Sequence, residues 1–352
     1  MTIPRDNFLP FSDEALRVAS NVAQAYAAWV DAERELEALP SSVFWAKRGP
    51  HEYLALKYRG SDVARTAGAR SAETEARFIE LAGMRDAAVA RRDARLARFP
   101  ELARQWKALR LPQATPLPAR ILRALDVAGL LGTDVMLVGT NAFAAYEIHA
   151  RRKFLRGADE TDDFDLGWCR GSAIQLARAS SDVQPPDLLS TLRRVDKSFR
   201  IHRLRRYQAV NDEGYEVELL AAPSRHSSLP QNIGFDPMYS LHEQEWLLLG
   251  APLQAVVMAR DAMPAPMFVP DPRYMALHKA WLANKPERSA TKKDKDRLQG
   301  EILLDAVALF MPDYPVDIDF VMSLPGELRD VFDAWAASRG FDPVRHADVR
   351  QP

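Results

Sequence analysis

In the first third of the chain, apolar residues recur every three to four positions. Leu16, Ala19, Val22, Tyr26, Trp29 and Leu36 fall on one helical face. Ser12, followed by Asp13 and Glu14, predicts where that helix starts. A serine hydroxyl can accept from an unbonded first-turn amide, and acids suit the positive end of the helix. Pro40 predicts its stop. A second helical run is expected over residues 71–108, interrupted at Pro100. Between the two, Val43, Phe44 and Trp45 on one side and residues 53–56 on the other flank Arg48, Gly49 and Pro50, which predicts a small hairpin.

The texture changes at residues 111–118, where Pro112, Pro116 and Pro118 read as a boundary or stiff linker. Helix and strand then alternate up to residue 225. Helices are expected over 121–131 and 141–152, and strands over 135–138 and 164–168. Residues 207–210 and 215–220 flank Asn-Asp-Glu-Gly, a hairpin signal. Beyond residue 230 the pattern predicts helix with one proline-rich insertion, and Ile302, Leu303, Ala306, Leu309 and Phe310 form a helical stripe. The expected organisation is a mainly helical region with a small hairpin over 1–115, a mixed core over 116–230 and a helical domain over 231–352.

Composition narrows the classes. A chain of 352 residues, 47% hydrophobic and 27% charged, fits a globular protein of two or three cooperating units. Lys and Arg number 47 against 48 Asp and Glu, so any nucleic-acid contact has to come from local patches rather than bulk charge. The longest uncharged stretch, 246–259, contains Gly250 and Pro252 and is too short for a bilayer span of about 20 residues. A single cysteine, Cys169, excludes a disulfide framework and a cysteine-clustered zinc site. The opening Met-Thr-Ile-Pro-Arg-Asp lacks the apolar core of a secretory signal, so a cytoplasmic protein of bacterial type is expected.

The candidate chemistry centres on residues 161–166, Thr-Asp-Asp-Phe-Asp-Leu. Asp163 and Asp165, two apart on a strand, share a face with their α-carbons about 6.5–7 Å apart. Acids that close repel each other unless a cation lies between them. A pair of divalent ions about 3.5–4 Å apart can bridge such carboxylates to a triphosphate. A solvated acidic turn is the other reading, but Phe164 and Leu166 alternate with the acids as on a strand with one face buried. Upstream, the strand at 135–138 runs into Gly139, Thr140 and Asn141. A helix opening there offers amides to a phosphate, although strand–Gly–helix turns are common without any ligand. Downstream, Glu216 and Glu218 share a strand face; one of them completes a set of three acids, or both are plain exposed glutamates.

Together these elements resemble the DNA polymerase β-like nucleotidyltransferase superfamily. More closely, the chain resembles a bacterial family known only as nucleotidyltransferase-like. The shared words are residues 137–147 (Leu-Val-Gly-Thr-Asn-Ala-Phe-Ala-Ala-Tyr-Glu), 161–166, 217–220 (Val-Glu-Leu-Leu) and 269–279 (Val-Pro-Asp-Pro-Arg-Tyr-Met-Ala-Leu-His-Lys). Phe44 and Trp45, residues 52–54 and residues 68–73 add to a likeness that covers most of 40–310. The resemblance implies an α/β (α+β) nucleotidyltransferase core with a small mixed sheet, flanked by N-terminal and C-terminal helical regions. It further implies that Asp163 and Asp165 hold Mg2+ or Mn2+, and that Glu218 completes the site as ligand or base where the family usually has Asp. Gly139, Thr140 and Asn141 would hold the triphosphate of an NTP. A lysine of the C-terminal unit would meet the leaving group, the candidates being Lys279, Lys292 and Lys295; a solvated, internally paired helix start is the other reading of these cations. His278 has no partner ligand at metal spacing, so it is read as a packed residue without a zinc role.

Two basic runs remain. Arg193, Arg194, Lys197, Arg200, Arg203, Arg205 and Arg206 have only Asp196 as an internal counter-charge. They read as a track for RNA phosphates, with Arg200, Arg203 and Arg205 as contacts, or as positive neighbours of the acidic site. Arg91, Arg92, Arg95, Arg98 and Arg104 read as a second track or as partners of an acidic helix. The function expected is metal-dependent transfer of an NMP from an NTP to an acceptor hydroxyl, releasing pyrophosphate. An RNA or tRNA end or a protein side chain is the favoured acceptor, and a small molecule of the aminoglycoside kind the lesser one. Analogy within the superfamily adds a toxin or phage-defence role. The rival is a nucleotide- or RNA-binding module without transfer activity.

Overall fold

A computed structural model describes residues 3–61, 63–155, 163–169, 187–228, 236, 238 and 241–344. Thr161 and Asp162 lie outside the described residues. A short strand β1 (Phe8–Pro10) leads into α1 (Asp13–Ala38), which Ser12 caps by accepting from the Ala15 amide at 3.2 Å. Next come β2 (Ser42–Arg48), β3 (His51–Lys57) and β4 (Arg65–Ala69), an antiparallel sheet in that order. The expected hairpin is its first two strands. β4 escaped the sequence reading because Arg-Thr-Ala-Gly-Ala has no apolar alternation. The long helical run divides into α2 (Ala72–Leu96) and α3 (Phe99–Ala108), with Pro100 in the first turn of α3, where a missing N–H leaves no bond unmade.

Residues 111–118, expected as a boundary or stiff linker, pack into the fold. Pro116 and Pro118 lie in the first turn of α4 (Pro116–Val127), and Leu111 and Ala114 are buried. The Ala114 amide donates to Met258 O at 3.1 Å and Ala114 O accepts from the Arg260 amide at 3.1 Å, so the segment is stitched to the C-terminal part of the chain.

After α4 come β5 (Val135–Val138), a 3-10 turn over Thr140–Ala142, α5 (Phe143–Ala150), β6 (Arg152–Phe154) and β7 (Asp163–Trp168). Then follow α6 (Leu188–Val195), β8 (Arg200–Ile201), β9 (Gln208–Val210) and β10 (Glu216–Ala221). The central sheet has the order β5-β7-β10-β9-β8; β7 and β10 run parallel, and the other neighbours antiparallel. Phe164, Leu166, Val217 and Leu219 share one face and are fully buried, as the alternation predicts.

The region beyond 230 is not helical throughout. Its proline-rich insertion is an antiparallel hairpin of β11 (Leu253–Met258) and β12 (Pro264–Val269). Pro264 and Pro266 face Met258 and Val256. Two apart, both turn their donor-less side the same way, off the ladder, which is where a strand tolerates proline. The chain ends in α7 (Pro272–Leu282), α8 (Ala290–Phe310), α9 (Ile318–Ser323) and α10 (Gly326–Arg339). α7 and α8 cross closely at Gly300, where a β-carbon would lie 2.7 Å from Ala276 O. The stripe of α8 is buried at Ile302, Leu303 and Ala306. The architecture is mixed α/β, with small sheets flanked by helices, and no helix among the described residues is long and apolar enough to cross a membrane.

Glu147 of α5 is 4% exposed, and its Oε1 accepts from the Phe154 amide at 2.7 Å, which holds β6 against the helix. Burial raises its carboxyl from 4.5 to about 7, against the opposing pull of that hydrogen bond and of Lys153. The unfolded chain releases this proton near pH 4.5 and the fold keeps it to about 7. The contribution to stability is therefore whole below pH 4.5 and is lost as pH rises to 7, a change of about 3 kcal/mol. Glu147→Gln, which keeps an acceptor for Phe154, is expected to flatten urea-unfolding stability across that window and to raise it at pH 8. A pH profile equal to the parent's would show that the carboxyl titrates normally.

Candidate functional site

Strand register assembles the acids. Val138 of β5 lies opposite Asp165 of β7, Asp165 beside Glu218 of β10, and Glu218 opposite Gln208 of β9. These four residues therefore form one row on one face of the sheet, with neighbouring strands about 4.8 Å apart. One step along, Asp163 lies beside Glu216; the side chain of Asp163 is outside the described residues. The parallel β7–β10 pair thus sets two acids of one strand alongside two of the other, about 50 residues away in sequence.

Each glutamate is fixed by a neighbour. Gln208 Nε2 donates to Glu218 Oε1, while Arg205 stands 3.7 Å from the Glu216 carboxylate. The Oε1 of Gln208 is buried without a hydrogen-bond partner among the described residues.

Gly139 ends β5 at φ 74° and ψ −160°, a conformation open in practice to glycine alone. A β-carbon there would lie 2.5 Å from Asp165 Oδ2. Glycine is required twice over, by the backbone and by the carboxylate resting against its α-carbon. The turn that follows places Thr140 within 3.4 Å of the Gln299 side chain of α8. Lys292, Lys295 and Gln299 are three and four residues apart and so share a face of α8. The contact at Gln299 turns that face towards the Gly139–Thr140 turn, with Lys295 about 6 Å and Lys292 about 10 Å further along the helix. Asn141 and Thr140 also border a cavity of about 270 Å3 whose wall includes Leu111, Glu147, Phe154 and Arg260.

Lys279 goes elsewhere. It is 5% exposed and donates to Asp296 Oδ1 at 2.9 Å, while Arg288 holds Oδ2 of the same aspartate at 2.7 Å. This ion pair joins α7 to α8. Lys279→Met strips one partner from a buried pair and is expected to lower stability by about 3–5 kcal/mol in urea unfolding. NTP affinity should hold where the variant is folded, and a selective loss of NTP affinity would return Lys279 to the nucleotide. Its neighbour His278 is buried, with burial and the cations Lys279, Arg288 and Lys285 lowering it to about 3, so it packs as a neutral ring.

The fold also gives the first basic run counter-charges that are distant in sequence. Arg200 pairs with Asp212 across the hairpin, Arg206 with Asp236 at 2.6 Å, and Arg194 with Glu37 of α1 at 3.4 Å. Asp196 is therefore not its sole acid, because strand pairing and the approach of α1 bring in others. In the second run, Arg91 pairs with Glu35, and Arg92 lies 3.4 Å from Glu33. Gln208 and Gln299 escaped the sequence reading. A lone glutamine carries no motif, and only register and helix packing bring these two to the site.

Among the described residues, the row offers the side-chain oxygens of Asp165, Glu218 and Gln208, as suits a hard divalent cation. Among the described side chains no three acids, histidines or cysteines form a metal cage. Asp165 and Glu218, beside the orphaned acceptor of Gln208, fit an ion that keeps several of its waters.

A family model described as Nucleotidyltransferase matches residues 117–318, more than half of the chain. No curated protein and no solved structure matches it. The matched span contains β5, β7, β9, β10 and α8, and so every element of the row and of the Gly139–Thr140 turn.

Proposed function

The chain belongs to the nucleotidyltransferase family, and from that premise we propose that it transfers an NMP from an NTP to an acceptor hydroxyl with release of pyrophosphate. The observation that carries this reading is the approach of Asp165 to Gly139. It sets a carboxylate against the turn whose amides suit a phosphate, so metal ligand and triphosphate would meet at one place. Mg2+ or Mn2+, held by Asp163, Asp165 and Glu218, would neutralise the triphosphate and the charge that develops on the leaving group.

The remaining roles fall to the chain. Gly139 and Thr140 bind phosphate oxygens at the turn, with Asn141 beside them. Gln299 fixes the Thr140 hydroxyl. Lys295 and Lys292 extend the positive surface along α8 towards the leaving pyrophosphate. The acceptor oxygen bonds to the α-phosphorus as the bond from that phosphorus to the β-phosphate oxygen breaks. The acceptor proton would pass to a carboxylate, a role we give to Glu218 as the alternative to holding the metal; its Oε1 accepts from Gln208. Orientation and charge do most of the work, as phosphoryl-type transfer requires.

The acceptor we favour is macromolecular, an RNA end or a protein side chain, and the relation is to polymerase β-type transferases of bacteria. Incubating the protein with α-phosphate-labelled NTPs, Mg2+ or Mn2+, total RNA and cell lysate tests this directly. Label is expected on a macromolecule, with pyrophosphate released. NTP binding with no label on any acceptor would instead support a binding module without transfer activity.

A further inference from the structure

The antiparallel sheet β2-β3-β4 lies outside the matched family span, and its two faces differ sharply. One face packs on α2: Trp45 stacks on Phe78 with ring centroids 5.8 Å apart, and Leu54, its cross-strand partner, is fully buried. Alternation and register put Ser42, Phe44, Ala46 and Arg48 of β2 on the other face, with His51, Tyr53, Ala55 and Lys57 of β3 and Thr66 of β4. Phe44 is 40% exposed there, although an aromatic ring in a sheet is ordinarily covered.

We propose that this face is a stacking platform for single-stranded RNA, with Phe44 and Tyr53 each receiving a base and Arg48 and Lys57 meeting the phosphates. Phe44 lies opposite Ala55 and Tyr53 opposite Ala46, so the two rings are diagonal neighbours, about 7–8 Å apart at their α-carbons. Between the rings, Ala46 is half-buried and adds no bulk, while Ala55 is buried at the floor of the face. Arg48 already lies over the Tyr53 ring, 5.9 Å from its centroid, an arrangement a base can enter from either side. Apart from the two aromatics, the apolar residues of this face are alanines, too little for a protein partner's core. Its formal charges are all positive, which complements phosphate. Hydroxyls of Ser42 and Thr66 on the same face offer partners to a ribose 2′-OH, so RNA is the occupant rather than DNA.

The position of the platform agrees with this. Arg59, just past β3, pairs with Glu37 at 2.9 Å, and Arg194 of α6 lies 3.4 Å from the same carboxylate. The platform therefore adjoins the start of the basic stretch 193–206. The proposal deepens the macromolecular-acceptor reading, on which its purpose rests, whereas binding itself needs neither NTP nor metal.

The test is fluorescence anisotropy of the full chain with fluorescein-labelled 12-mers of oligouridylate and oligothymidylate, without NTP or divalent metal, between 50 and 200 mM salt. Phe44→Ala with Tyr53→Ala is expected to weaken oligouridylate binding at least about tenfold, and Phe44→Trp to preserve it. Arg48→Ala and Lys57→Ala are each expected to reduce the log–log salt slope by about 0.7. Circular dichroism melts of all variants confirm that the comparison is between folded chains. No oligouridylate binding by the parent, or equal binding after loss of both rings, overturns the platform and leaves nucleotidyl transfer standing. Equal affinity for oligothymidylate overturns the choice of RNA. Loss of label transfer with oligouridylate binding intact rejects the transfer reading alone.

Discussion

Asp165→Asn is expected to lower nucleotidyl transfer at least about a hundredfold, because the change removes one ligand charge from the point where the triphosphate would be neutralised. The substitution keeps shape, and Phe164 and Leu166 hold β7 to the core on the opposite face, so the fold should survive. Stability without metal should stay level or rise, since Asp165 and Glu218 lie side by side and their repulsion is relieved. Asp163→Asn is expected to act alike. Glu218→Gln should follow, whereas Glu216→Gln, whose carboxylate faces Arg205, should do much less. Steady-state pyrophosphate release on each purified variant makes the comparison. If transfer survives both aspartate changes, the metal site lies elsewhere. If Glu216 proves the sensitive glutamate, the acids engage one step further along the strands.

Gly139→Ala is expected to be as damaging to transfer and, unlike Asp165→Asn, to damage the fold as well. The φ of 74° with ψ of −160° is held by glycine, and a residue with a β-carbon there costs about 1–3 kcal/mol. The added carbon also meets Asp165 Oδ2 at 2.5 Å, so the carboxylate must move off the turn. Combining Gly139→Ala with Asp165→Ala separates the two effects in urea unfolding. Removing the carboxylate relieves the clash but not the backbone strain, so the double variant should recover part of the lost stability. Full recovery would mean that the turn can change its dihedral angles at no cost, and that the glycine serves the close approach alone.

Much of this site is legible in the residue pattern. Alternation of Asp163, Phe164, Asp165 and Leu166 states both the strand and its buried face, and the register of β7 on β10 then sets the acids side by side. Ser12 and Pro100 mark helix starts through hydrogen-bonding rules that need no tertiary context. What stays hidden is whatever depends on a partner distant in sequence. Lys279 resembles a free cation until Asp296 is brought beside it by the crossing of α7 and α8. Arg200 has only Asp196 as a counter-charge within its own run until the hairpin supplies Asp212. β12 fails a local reading because its prolines matter only in relation to the side on which β11 lies.

The hydrogen bond between Thr140 and Gln299 spans 159 positions. On a ribosome adding about 5–20 residues each second, the turn is made roughly 8–30 seconds before its partner exists. A nascent or prematurely terminated chain therefore carries the acids of the sheet without the helix that contacts the Gly139–Thr140 turn. Synthesis order thus leaves the site incomplete until α8 has emerged.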